Sequence, residues 1–129
     1  MANLSDYAEK LLLDWLMTAG AATRPTTWHL ALYTAAPNDA GGGTVVSGAG
    51  YARQPISFAA ASSPGGTMAS SNAQTFEAAA SWGTVTHFAI FDASSGGNML
   101  WHGALTIART VGSGDRLIFD AGAITLTMA

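Results

Sequence analysis

Three histidines, His29, His87 and His102, are the first side chains in this sequence that could do chemistry. Imidazoles bind zinc or move protons, but a zinc site needs three or four converging ligands, usually with one close-spaced pair. Here the gaps are long. Only pairing of two strands could bring His87 and His102 together, with Asp92 at the mouth of the loop between them. Half-exposed or hydrogen-bonded strand histidines are the simpler expectation. For serine hydrolysis there is no G-x-S-x-G elbow and no alternating strand–helix pattern to carry one. The carboxylates Asp39, Asp92, Asp115 and Asp120 all fall in turn-like stretches, where aspartate ordinarily bonds to nearby backbone. Paired acids facing each other across a cleft, as glycoside hydrolysis requires, are not suggested by that placement. Gly48-Ala49-Gly50 lacks both the dinucleotide fingerprint and its βαβ setting. With no cysteine in the chain, disulfides, thiolate metal sites and redox motifs are excluded. The expectation is a protein that is not an enzyme, with no cofactor.

Aromatic residues offer binding instead. Trp15, Trp28, Trp82 and Trp101 could build a sugar-stacking platform, while Tyr33 and Tyr51 flank a long Gly-rich stretch, Ala35 to Gly50. Trp82, between Ser81 and Gly83, is the tryptophan expected to face a ligand or neighbour. Core positions are the ordinary alternative for all four. Asn3-Leu4-Ser5 matches a glycosylation sequon but coincides with a helix cap, and no secretion signal supports it.

The positioning elements centre on Trp82 to Ile107. Two β-branched and aromatic runs, Thr84 to Phe91 and Met99 to Ile107, flank the turn cluster Asp92 to Asn98 and read as an antiparallel hairpin. Phe88 and Ile90 on one parity and Ala89 and Phe91 on the other imply a strand covered on both faces, hence central. Met99, Trp101, Leu105 and Ile107 share a parity and imply one dominant core face. Ahead of the hairpin, residues 4–18 predict a helix with Leu4, Tyr7, Ala8, Leu11, Leu12, Trp15 and Leu16 on one side. Asn3 or Ser5 is its expected cap. Leu13 and Met17 lie on the otherwise polar side, as two singly exposed residues or as a second contact face.

Strands are expected at Thr27 to Thr34 and Tyr51 to Ala60, the latter pushed to an edge by Pro55. Further strands are expected at Thr67 to Ser71, Ala73 to Ala79, Arg116 to Phe119 and Ala123 to Met128. Val45 and Val46 are expected to form a short pairing inside the long loop. One helix followed by about seven or eight short strands predicts a mainly β single domain over 1–129. Its architecture would be an antiparallel β-sandwich or jelly-roll-like barrel spanning 27–128, with the N-terminal amphipathic helix packed on it.

Of 129 residues, 49% are apolar and only 10% charged, with net charge −3. That composition is far from disorder. A surface so poor in charge meets neighbours at low desolvation cost, which suits a protein packed in an assembly. Lys10, Arg24, Arg53, Arg109 and Arg116 are scattered, so no basic patch speaks for nucleic acid. The apolar run Leu11 to Met17, interrupted by Asp14, is too short to span a bilayer. The N-terminus lacks a signal-peptide pattern, so synthesis in the cytoplasm is expected.

The phrases ASWGTVTHFAIFDASSGGNMLWHGALT, LSDYAEKLLLDWL and SGAGYARQPISF resemble a family of small tailed-bacteriophage structural proteins, commonly labelled phage tail fibre or virion proteins. The resemblance runs from about Leu4 to Thr127 and brings no active-site residues. It implies a virion component made in the bacterial host, without choosing head or tail. The partners it implies are capsid or tail proteins. With the low charge, it suggests a homo-oligomer acting as a head decoration or cement protein, or as a small tail-attached module. A receptor- or carbohydrate-binding module at the tail tip, touching host-surface glycan, is the alternative. The contact residues expected are Leu13, Met17, Val45, Val46, Tyr51, Trp82 and Asn98.

Overall fold

The computed structural model describes residues 2–20, 22–62 and 66–127. A short strand β1 (Ala2–Leu4) leads into helix α1 (Asp6–Met17). Strands β2 (His29–Ala35), β3 (Thr44–Val45), β4 (Gln54–Pro55), β5 (Thr67–Ala69) and β6 (Gln74–Glu77) follow. Then come β7 (Gly83–Phe91), β8 (Met99–Val111), β9 (Arg116–Phe119) and β10 (Thr125–Thr127). The expected Met128 end of the last strand lies outside the described residues.

All pairings are antiparallel. The main sheet runs β1-β8-β7-β2-β3, with β4 sharing the β2 edge, and β5/β10 and β6/β9 form two separate ribbons. The ribbons lie over one face of the main sheet as a sandwich, and none of the three sheets closes into a barrel. Pro55 does sit on an edge strand, opposite His29. β7 holds the centre, paired to β2 from Phe91 to His87 and to β8 on its other side.

The core lies between the main sheet and the ribbons. Leu30, Leu32, Val85, Phe88 and Ile90 from the sheet meet Phe76, Leu117, Ile124 and Leu126 from the other layer. Phe76 packs edge-on to Phe119, with ring centroids 6.1 Å apart. A smaller cluster covers the opposite face of the sheet: Ala31 and Ala89 are fully buried beneath Tyr33, Met99 and Phe91.

Two departures from the sequence expectation have clear causes. The parity of β8 does not persist, because the register slips between Ile90 and Phe91 and again between Val85 and His87. Each bulge turns the following side chains over. Met99 therefore joins the outer cluster while Trp101 faces the main core, and Ile107 is exposed. The helix is also shorter than expected and meets the sheet mainly through its first turns. Leu4 belongs to β1, opposite Trp101, and within α1 only Ala8 is buried. Trp15 and Leu16, expected to face the core, stand in solvent.

The helix is held at its first turn by Ser5. This buried residue caps α1 by accepting from the Ala8 amide, at 3.1 Å. Its hydroxyl also donates to the Met99 carbonyl, and its own amide donates to the Leu100 carbonyl at 2.9 Å. Asp6 and Glu9 in the first turn suit the helix dipole. Replacing Ser5 by Ala removes the cap and strands the Met99 carbonyl. A stability loss of about 1–3 kcal/mol is expected in urea unfolding; an unchanged midpoint would show that the helix is fastened elsewhere.

Candidate functional site

Of the two loops expected to carry function, 35–50 and 92–98, the first part of one, residues 36–43, meets the other at one end of the main sheet beside the start of α1. The first is closed by paired bonds between Asn38 and Gly41, at 2.6 and 2.9 Å. Gly43 has φ +74°, and a Cβ there would fall within 2.8 Å of the Ala35 carbonyl, so this tight return needs glycine. Asp39 is tied twice. Its carboxylate lies 2.7 Å from His102 Nε2, and its carbonyl accepts from the Asp6 amide at 2.9 Å. The second loop is fastened by Asp92, which accepts from the Asn98 amide at 2.7 Å and from its Nδ2 at 3.1 Å. Arg53 clamps the same loop. Its guanidinium donates to the carbonyls of Ala93 and Gly96 at 2.9 and 2.8 Å and lies 3.7 Å from the centre of the Phe91 ring.

Between the loops lies a recess of about 490 Å³, bordered by Asp6, Tyr7, Tyr33, Asp39, Asn98 and Met99. Of its two bordering acids, Asp39 is engaged by His102, while Asp6 sits at the start of α1. That arrangement supports hydrogen bonding and aromatic contact more than proton transfer. Asn98 is exposed here, as expected of a contact residue.

The second half of the long loop behaves differently. Val46 and Trp82 are only 2% and 5% exposed and belong to the main core, so neither is a free contact residue. Trp82 Nε1 donates to the Ala49 carbonyl at 3.2 Å, and its ring meets Tyr51 edge-on at 5.6 Å. A Cβ at Gly48 would come within 2.7 Å of the indole, so that bare glycine leaves room for it. Tyr51 is half-buried, stacked on Phe76, with its hydroxyl accepting from the Leu32 amide at 3.2 Å. Its place is therefore against the core, where the loop folds back over the sheet. Trp82 is consequently unavailable as a sugar platform. Val45, next to Val46 but of opposite parity, stays exposed.

Most of the exposed large apolar side chains are on α1, with Ile107 and Ile118 exposed on the strands. Leu13 is 62% exposed, Trp15 60%, Leu16 65% and Met17 76%. Beside them Leu11, Leu12 and Trp15 face Ala22 and Pro25 across a groove of about 150 Å³, with Arg24 at its rim. Leu13 and Met17 are thus the two expected contact residues that most clearly present apolar area.

A model of the family described as podophage GP4 fiber I protein gp80 matches residues 3–127. The chain belongs to this family. No curated protein matches it. A fibre-family chain is a component of the phage virion, which agrees with the resemblance seen in the sequence. In this fibre-family protein the three histidines share the outer face of the main sheet but serve separate local roles. His102 meets Asp39, His87 Nδ1 meets Thr86 Oγ1 at 2.8 Å, and His29 Nδ1 is buried without a partner among the described residues. No three His, Cys, Asp or Glu side chains converge among the described residues. No described helix is long and apolar enough to cross a membrane.

Sequence reasoning missed Ser5 as a pin, Asp39 as the partner of His102, and Arg53 as a clamp. Each acts across tens of residues of chain, and no local spacing signals that. Arg53 had one hint, being one of only five cations in the sequence.

Burial raises the Tyr33 and Tyr51 hydroxyls above the ordinary tyrosine range. Arg53 pulls each down in part, and for Tyr51 the bond from Leu32 does so more strongly than Arg53. A raised folded-state pKa means the folded chain holds these protons more tightly. Stability is therefore full below the unfolded tyrosine value of about 10 and falls as pH rises through it. Tyr33→Phe should flatten the alkaline limb of a melting-temperature profile while leaving the neutral value nearly unchanged; an alkaline limb identical to wild type would contradict this.

Proposed function

We propose that this protein is a non-enzymatic structural module of the phage tail fibre, acting through protein–protein contacts with other virion proteins. The observation that carries the reading is the uncovered apolar surface of α1, the densest run of exposed large apolar side chains among the described residues. Four large apolar side chains, Leu13, Trp15, Leu16 and Met17, stand free on a single short helix. An apolar patch of that kind marks an interaction site. The matching family, whose description names a fibre protein, favours the tail over a capsid-decoration or cement role. Low surface charge supports the same conclusion, since interface cores are depleted in charge.

Function here is mechanical. Each copy adds buried area, and repetition on the particle converts that area into a stable appendage. The loop end, with its recess between 36–43 and 92–98, is a second, more polar surface on the same scaffold. Immunogold labelling of intact particles tests the reading. Label confined to the tail is expected. Label spread over the capsid would replace the fibre role with decoration, and label on neither would remove the virion role.

A further inference from the structure

We infer that the groove at the free edge of β8 takes an extended segment of another protein, which adds to the sheet as a strand and sets a carboxylate beside Arg109. The inference goes beyond the helix surface on which the proposed function rests, because it concerns the other end of the sandwich. The Met99 end of β8 meets Ser5 and the start of α1, and Ile107 lies roughly 25 Å further along at the rise of a strand.

Only part of β8 is paired on both edges. On its outer edge β1 covers Trp101 to Gly103 and stops there. On its inner edge the register slip sets Ala104 opposite His87 but Arg109 opposite Val85. Leu105, Thr106, Ile107 and Ala108 are left with no register partner in either neighbouring strand. Unpaired N–H and C=O groups along an edge are a template for another strand. Proteins ordinarily blunt such edges with lysine, proline, a covering element or a bulge. Between Ala104 and Thr110 there is neither lysine nor proline, and no described strand covers the span. The bulge is present, but what it leaves outward is Ile107, 62% exposed.

The facing wall is also incomplete. β9 pairs with β6 alone, so its other edge is open among the described residues. Between β8 on one side and β9 with the turn into β10 on the other lies a groove of about 340 Å³. Its floor is the main core itself, at Phe88, Leu117 and Ile124. Ile107 and Ile118, the most exposed large apolar residues outside α1 among those described, both line it.

An extended polypeptide answers all of these features. Its backbone pairs with the edge of β8, and its alternate side chains enter the groove. A small apolar molecule would leave the backbone groups of Leu105 to Ala108 unpaired. Every described strand already has a partner, so a second folded copy has no loose strand to lay there. Charge specifies the segment further. Arg109 and Asp120 both line the groove, and neither makes any of the described ion pairs. A guanidinium in this position is answered by a carboxylate on the incoming segment, through charge-assisted hydrogen bonds.

The probe is a labelled, end-blocked peptide of about six residues, the usual strand length, alternating valine and threonine with one glutamate. Titrated into the full chain and read by fluorescence anisotropy, it should bind saturably. Methylation of every backbone nitrogen of the peptide should weaken binding about tenfold or more, because the donors to the edge are gone. Lysine in place of the glutamate should weaken binding to the wild type about fivefold, and Arg109→Glu should reverse that preference. The Arg109 side chain is exposed, so this variant is expected to keep its fold. Hydrogen exchange supplies a second readout: saturating peptide should slow the amides of Leu105 to Ala108 and leave those of α1 unchanged. Absence of saturable binding, indifference to methylation, or an Arg109→Glu protein that keeps the wild-type preference would each overturn the inference. So would exchange at Leu105 to Ala108 that slows with protein concentration alone, which would put a second copy in the groove. The fibre reading fails separately, through misplaced gold label, and leaves these measurements untouched.

Discussion

The structure depends on β7 being satisfied on all four sides. Its backbone is paired to β2 on one edge and to β8 on the other. One face carries Phe88 and Ile90 into the main core; the other buries Ala89 beside Ala31 under Tyr33, Met99 and Phe91. Small residues on the outer face let neighbouring side chains close over them, so the sheet needs no further layer there. This has a consequence for the helix. A sheet that covers its own outer face leaves no apolar seat for α1. The helix is held by its first turn through Ser5 and otherwise projects. Its apolar residues then remain for a partner, and so a feature of core packing becomes a feature of assembly.

The loops obey the same economy. Asp39, Asp92 and Arg53 are all used to fasten backbone or a neighbouring side chain, which gives a rigid end to the sheet and few groups free for chemistry. A fibre component gains from rigidity at both of its surfaces, because ordering mobile loops on contact would subtract from the free energy of association.

Much of this was legible in the sequence, for physical reasons that can be named. Apolar residues on both parities at Phe88 to Phe91, among β-branched and aromatic neighbours, favour a strand covered on both faces, and β7 is that strand. Pro55 was readable as an edge residue because it cannot donate to a ladder. The helix was readable from its periodicity and cap, but periodicity says that a face is apolar and not what covers it. The bulges in β8 were unreadable, since a slip of register depends on the partner strand. Trp82 misled because its flanking Ser81 and Gly83 suggest a loop, whereas the pocket that holds it is built by Gly48, Ala49 and Tyr51 far back in the chain.

Hydrogen exchange read by mass spectrometry reaches the central claim most directly. Amides of β7 and the adjoining part of β8 should be deeply protected in the isolated chain. Amides in the last two turns of α1 should exchange far faster. Protection of Leu11 to Met17 as deep as that of β7 would contradict the account.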